Sequence, residues 1–349
     1  MSFTAPQVSG SGLDAAAASP PGAPPPGGPP DEAELVQGLG TTSLSQRQMV
    51  VRRFLRHRAA MVALITLVVV VVMALVGGKV WKWPYQGIGS FDSTCLSCSP
   101  TTDFFNHPMG TDGIGSDIFA QVLRGAQASV SIMLVVALLS TGLGVVVGGI
   151  AGYYRGWVDA ILMRIVDLLL TIPGLLVLVV LARVGANPRS PLTKYVLRYF
   201  GSGGGSWLRI AVIIALLAWM PVARVVRAEV LSLREKEFAE AARALGAGDL
   251  RIIFKHLIPN AVGTIIVSAT LIMAVAILTE TTLSYLGFGV TAPDTSLGLL
   301  VSAGQTAAFT RWWLFYFPGL FIIVIVLCVN FVGDGLRDAF DPKQNKVRA

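Results

Sequence analysis

Nucleotide chemistry requires lysine at a fixed place, and this chain does not supply it. None of its seven lysines, at 79, 82, 194, 236, 255, 343 and 346, completes Gly-x4-Gly-Lys-Ser/Thr, the loop that cradles phosphates. The three histidines, His57, His107 and His256, form no His-Glu-x-x-His pair, and no Gly-x-Ser-x-Gly elbow exists for nucleophilic hydrolysis. A zinc site needs four ligands, whereas Cys95, Cys98 and the nearby His107 supply three. No catalytic residue and no metal site is expected. Cys95-x-x-Cys98 falls in a polar loop expected outside the cell, where oxidising conditions favour a local disulfide. Asp167 and Glu280 fall near membrane depth, where ionisable groups mark pathways by default. Glu280 sits at an expected span end, so a pathway or gating role and a structural role both stay open.

The elements that position these residues follow from composition. The chain has 349 residues, 54% hydrophobic and 13% charged, against roughly 45–50% apolar and 25% charged in soluble domains. A mean hydropathy of +0.68 excludes a soluble globule. The net charge of +7 is a modest excess that reports membrane sidedness rather than affinity for nucleic acid.

Residues 1–45, with the run PPGAPPPGGPP at 20–30, lack the branched and aromatic residues of a core and read as a disordered tail. The remainder, 46–349, reads as one membrane domain. Crossing a hydrocarbon core of about 30 Å takes about 20 apolar residues in a helix. Six segments meet this: 59–77, 130–152, 165–182, 207–223, 261–279 and 312–333. Cys328 lies in the last of these and reads as a small core residue. A cytoplasmic N-terminus places 18 of the 27 basic residues inside, so both termini are expected in the cytoplasm. A long outer loop, 78–129, and a charged inner loop, 224–260, connect the spans. Pro173 is expected to kink or hinge the third span. Gly144, Gly148 and Gly152 form a small-residue ridge in the second, for packing within the chain or against a partner chain.

The inner loop carries the pattern of two short amphipathic helices. Phe238, Ala241, Ala242 and Leu245 fall at i, i+3, i+4 and i+7, opposite Glu235, Lys236, Glu237, Glu240 and Arg243. Gly246 suits the left-handed position that closes a helix. Asp249 is expected to cap a second helix with Leu250, Ile253, Phe254 and Leu257 on one face, ended by Pro259. Pieces below about 12–15 residues need tertiary burial to persist. Amphipathicity alone leaves two occupants open, the chain's own bundle and a separate protein.

Glu240-Ala241-Ala242, three residues, Gly246, then His256-Leu257-Ile258-Pro259 resembles the EAA signature of permease subunits of ATP-binding-cassette importers, with Ile258 where Leu is general. Several further segments are similar to the C-type subunit of dipeptide and oligopeptide systems. These are His107-Pro-Met-Gly-Thr-Asp112, Gly152-Tyr-Tyr-Arg-Gly-Trp-Val-Asp159, Ile172-Pro-Gly174, Leu283-Ser-Tyr-Leu-Gly287 and Gly333-Asp-Gly-Leu-Arg-Asp338. The resemblance implies an all-α membrane protein of the type I importer fold in a prokaryotic cell membrane, surrounded by lipid. It assigns Glu237, Phe238, Glu240, Ala241, Ala242, Arg243, Leu245 and Gly246 to a coupling helix. Glu240 and Arg243 would pair at its docking rim while Phe238 and Leu245 bury. The implied partners are a second homologous permease, two cytoplasmic ATP-binding subunits that hold ATP and Mg, and an extracytoplasmic substrate-binding protein. The implied cargo is peptide, with nickel complexes or glutathione as alternatives from related systems. An ion-coupled secondary transporter is the competing class, but no internal repeat supports it.

Overall fold

The computed structural model describes residues 46–85, 92, 94–101, 106–187, 194 and 205–340. The 1–45 tail and the basic residues Lys343, Lys346 and Arg348 lie outside the described residues. Helix α1 is Gln46–Arg56 and α2 is Arg58–Val80; His57 between them accepts a hydrogen bond from Ala60 N through Nδ1. There follow α3 (Ile118–Tyr154), α4 (Gly156–Thr171), α5 (Gly174–Gly185) and α6 (Ser206–Leu233). The short α7 (Glu237–Ala244) leads through an irregular segment, 249–260, into α8 (Val262–Tyr285), α9 (Leu297–Gly304) and α10 (Trp313–Phe340). Five of these helices, α2, α3, α6, α8 and α10, are long and apolar enough to cross a membrane, and α4 with α5 makes a sixth candidate bent by 85°.

The helices outrun the apolar runs that announce them. α3 begins at Ile118, because Asp117 caps it by accepting from Ala120 N at 2.8 Å, so the outer loop ends at 117 rather than 129. Its 37 residues span about 55 Å, well beyond a hydrocarbon core of about 30 Å. α6 runs ten residues past 223, and the first part of the expected inner loop is therefore helix. The third span is two helices, not one kinked rod. Pro173 has no N–H to donate and disfavours helical backbone at Ile172, which is extended, so the chain turns before α5 starts. α8 continues to Tyr285, which places Glu280 inside a helix instead of at its end.

Two apolar clusters hold the bundle. One joins α3, α5, α6, α7, the 249–260 segment and α8 through Ile132, Ile210, Val226, Ile253, Leu257 and Leu283. The other joins α2, α3, α8, α9 and α10 through Val70, Val122, Ile277, Leu297 and Ile325. Cys328 is buried in α10 and is a free thiol. The glycine ridge makes the α3–α6 seam of this same chain. A Cβ at Gly148 would stand 2.4 Å from the Ala223 carbonyl oxygen, and one at Gly144 2.6 Å from Val222. Gly148→Leu is therefore expected to wedge the seam apart at a cost of roughly 1–3 kcal/mol. Gly142→Ala, on an open face of α3 with nothing within 4 Å, should be silent. Thermal melting of both variants in detergent checks this; equal midpoints would contradict the seam.

At the end of α3 remote from α7, the His107–Asp112 turn and the Cys95 loop fold into a cap. Asp117 Oδ2 accepts from Trp81 Nε1 at 2.8 Å as well as from Ala120 N, and its Oδ1 bonds His107 Nδ1 at 2.9 Å. His107 and Asp117 are both buried. Asp112 gathers the amides of Ile114 and Ser116 at 2.9 and 2.8 Å. Thr111 Oγ1 donates to the Cys95 carbonyl and accepts from Cys98 N, and Cys95 and Cys98 are joined as a disulfide. Hydrogen bonds to Thr94 hold the Asp92 carboxyl below its ordinary pKa.

Candidate coupling site

α6 ends at Leu233, and the turn Arg234–Lys236 leads directly into α7. Glu237 and Glu240 lie in the first turn of α7 and Arg243 in its last, each complementing the helix dipole. The stop is a full Schellman motif. Gly246 N donates to Arg243 O at 2.9 Å, Ala247 N donates to Ala242 O at 3.1 Å, and Gly246 has φ +77.

The expected apolar face is split between two surroundings. Ala239 and Ala242 pack inward on the bundle, which Ala239 does without appearing in the predicted face. Phe238, Ala241 and Leu245 point away, with Leu245 88% exposed. The following segment shows the same division, because its residues 252–257 form a π-helix rather than an α-helix. The wider turn buries Ile252, Ile253 and Leu257 but leaves Leu250 and Phe254 outside, so the single face expected for the second helix does not form. Gly248, not Asp249, occupies the cap position. Pro259 lies within the short turn Ile258–Asn260 that follows, and the break comes at Ala261.

A polar hub at the base of α3 fixes this assembly. Tyr153 OH donates to Asp249 Oδ1 at 2.8 Å, while the guanidiniums of Arg234 and Arg243 lie over its ring at 5.7 and 5.6 Å. Arg243 Nη2 donates to the Arg234 carbonyl at 3.2 Å; that bond and the ring, rather than Glu240, are its partners within the chain. Arg155, at φ +54, turns the chain from α3 into α4 and pairs with Glu235. The hydrogen bond from Arg155 holds the Glu235 carboxyl below its ordinary pKa, whereas burial and the neighbouring guanidiniums lower that of Arg234. Tyr153 and Arg155 were legible only as part of the Gly152–Asp159 motif, with no spacing that marked them as a hub.

The remaining singled-out residues are not brought to this site. Pro173 stands at the break between α4 and α5. Glu280 is wholly buried in α8, where Oε1 accepts from Ser284 Oγ at 2.7 Å and Oε2 from Ser129 Oγ at 3.3 Å. Ser129 also accepts from Leu297 N, and Ser296 caps α9 by accepting from Leu299 N. Glu280 thus ties α3, α8 and α9 together, a role that an exposed span end could not have. Among the described residues no cluster of His, Cys, Asp and Glu could hold a metal ion.

Comparison with known proteins identifies the family. The family of binding-protein-dependent transport system inner membrane components matches residues 144–346, which hold α4 to α10. The N-terminal transmembrane domain of oligopeptide transport permease C matches residues 45–94. The oligopeptide transport system permease protein OppC of Mycobacterium tuberculosis is 39% identical over 308 residues, covering 88% of this chain and 98% of the relative. A putative peptide permease protein of Brucella suis is 38% identical over 293 residues, 83% of this chain and 89% of its own. A chain of the MetNI methionine ABC transporter shares 19% identity at a TM-score of 0.49, covering 63% of this chain and 97% of that one. Such systems place the ATPase on a separate subunit and receive cargo from a binding protein. The chain belongs to the inner-membrane permease family of binding-protein-dependent ATP-binding-cassette importers, as a multi-pass permease of the C type.

Proposed function

We propose that this chain carries oligopeptides inward as one half of a translocation path, beside a second homologous permease. Two cytoplasmic ATP-binding subunits, holding ATP and Mg, would drive it, and an extracytoplasmic binding protein would deliver the cargo. Both termini then lie in the cytoplasm and lipid surrounds the spans. In this reading the chain divides into a tail, 1–45, and a membrane domain, 46–349.

One observation carries the reading. Phe238, Ala241 and Leu245 form an exposed apolar face on a C-capped helix joined to α6 by a three-residue turn, and the chain has no nucleotide-binding loop of its own. Glu237, Glu240, Arg243 and Gly246 border that face. The extracellular cap, closed by Cys95 and Cys98, is the side on which the binding protein would sit. Leu245 replaced by a photo-crosslinking residue tests it in the assembled complex. Adducts to the ATP-binding subunit are expected; adducts only to lipid or to this chain itself would overturn the assignment.

A further inference from the structure

α1 carries Arg47, Arg52, Arg53 and Arg56 and no acidic residue, with Arg58 just beyond its end. Its last turns are built from three pairs spaced i and i+4, each rotated by about 100° from the one before. Val50 and Phe54 are half-buried. Val51 and Leu55 come next round the helix and are each 56% exposed, a bare apolar stripe. Arg52 and Arg56 follow and are exposed as well. Among the described residues no carboxylate pairs with Arg52, Arg56 or Arg58, and the nearby Asp338 faces His57 at 3.6 Å instead.

Packing fixes the depth of this helix. A Cβ at Gly335 of α10 would stand 3.3 Å from Phe54 Cε2, and the Ala60 side chain of α2 meets the same glycine. Gly335 lies two residues, about 3 Å, past the apolar run 312–333, and Ala60 is the second residue of the run 59–77. Phe54 therefore packs at the level where α2 and α10 both leave the hydrocarbon. His57 is extended, at φ −81 and ψ 95, so at that level α1 turns off the axis of α2 instead of continuing it outward. An apolar stripe bordered by arginines at this depth matches a helix lying in the headgroup boundary. The anions present there are phospholipid phosphates, whose geometry suits the guanidinium fork.

We propose that α1 is a membrane-surface helix that binds anionic phospholipid. Arg52 and Arg56 take headgroup phosphates while Val51 and Leu55 enter the acyl boundary, and Arg58 adds to the same positive field. Clustered cations without acidic neighbours favour a headgroup of net negative charge over a zwitterionic one. The inference goes beyond the transport reading and needs only that the chain spans a membrane.

The test titrates the complete complex, in neutral detergent, with fluorescent phosphatidylglycerol and separately with fluorescent phosphatidylcholine. The wild type is expected to favour phosphatidylglycerol. Arg52→Gln with Arg56→Gln should weaken phosphatidylglycerol by about tenfold to thirtyfold, the scale of two interfacial charges, and leave phosphatidylcholine unchanged. Arg52→Lys with Arg56→Lys should keep most of the preference. Depth is read in vesicles of the two lipids, with a fluorophore on Leu55→Cys in a Cys328→Ser background. Quenching by phosphatidylcholine brominated on its acyl chains is expected, and quenching by aqueous iodide alone would overturn the surface placement. Equal affinity of the wild type for the two lipids, or an undiminished preference in the glutamine pair, would overturn the lipid assignment. Displacement of phosphatidylglycerol by equimolar inorganic phosphate would overturn it too, in favour of a soluble anion.

Discussion

Phe238→Asp with Leu245→Asp is expected to abolish ATP-driven uptake while leaving the chain folded and inserted. Leu245 is 88% exposed in the free subunit and Phe238 36%, so the first replacement removes almost no internal packing and the second removes part of it. On docking, Leu245 would bury apolar surface worth roughly 1.5–3 kcal/mol and Phe238 about a third of that, together about 2–4 kcal/mol. At about 1.4 kcal/mol per factor of ten, that is about one to three orders of magnitude in affinity for the ATP-binding subunit. Charge placed in the interface deepens the loss. Gly246→Asp should act in the same direction by another route, because a Cβ there meets nothing within 4 Å but must adopt φ +77. The strain, of order 1–2 kcal/mol, falls on the cap that sets where α7 ends. Co-purification of the ATP-binding subunit in mild detergent reads both variants. Undiminished co-purification of the doubly charged variant would remove α7 from the interface.

Glu280→Ala is expected to cause the largest loss of stability of any single change outside the seams. The carboxylate accepts from Ser129 and Ser284, which belong to α3 and α8, and Ser129 in turn receives the Leu297 amide at the start of α9. Removing it strands two buried hydroxyls at about 1–3 kcal/mol each and opens a cavity that the surrounding helices cannot fill. Gly298 sets the tightness of the site, since a Cβ there would stand 2.7 Å from Thr281 Cα. Glu280→Gln keeps the volume and an acceptor and should be far milder. A loss of roughly 2–5 kcal/mol lowers a melting midpoint by about 3–7 °C, given an unfolding entropy of about 0.7 kcal/mol/K for 349 residues. Matching midpoints for the alanine and glutamine variants would refute the knot.

The spans were legible because the bilayer demands long apolar helices, and the short helix α7 because Gly246 closes it where the sequence placed its end. Hydropathy marks where a helix meets lipid, not where its backbone hydrogen bonds end. For that reason α6 was read ten residues short and α3 twelve short at its start, although Asp117 before Ile118 was an available capping signal. The 252–257 segment escaped because a face counted at 3.6 residues per turn does not survive a π-turn. Glu280 was read at a span end because the apolar run stops at 279, and the short helix that covers it, α9, is no span and left no mark on a search for spans. The ion pairs Asp167–Arg224 and Asp159–Arg227 between α4 and α6 join residues 57 and 68 positions apart, a proximity that only the folded chain reveals.

The most direct measurement is accumulation of a labelled oligopeptide by sealed vesicles supplied with binding protein, assembled with and without the ATP-binding subunits. Uptake that requires those subunits and ATP is the predicted result. Accumulation by vesicles holding this chain without them would contradict the account.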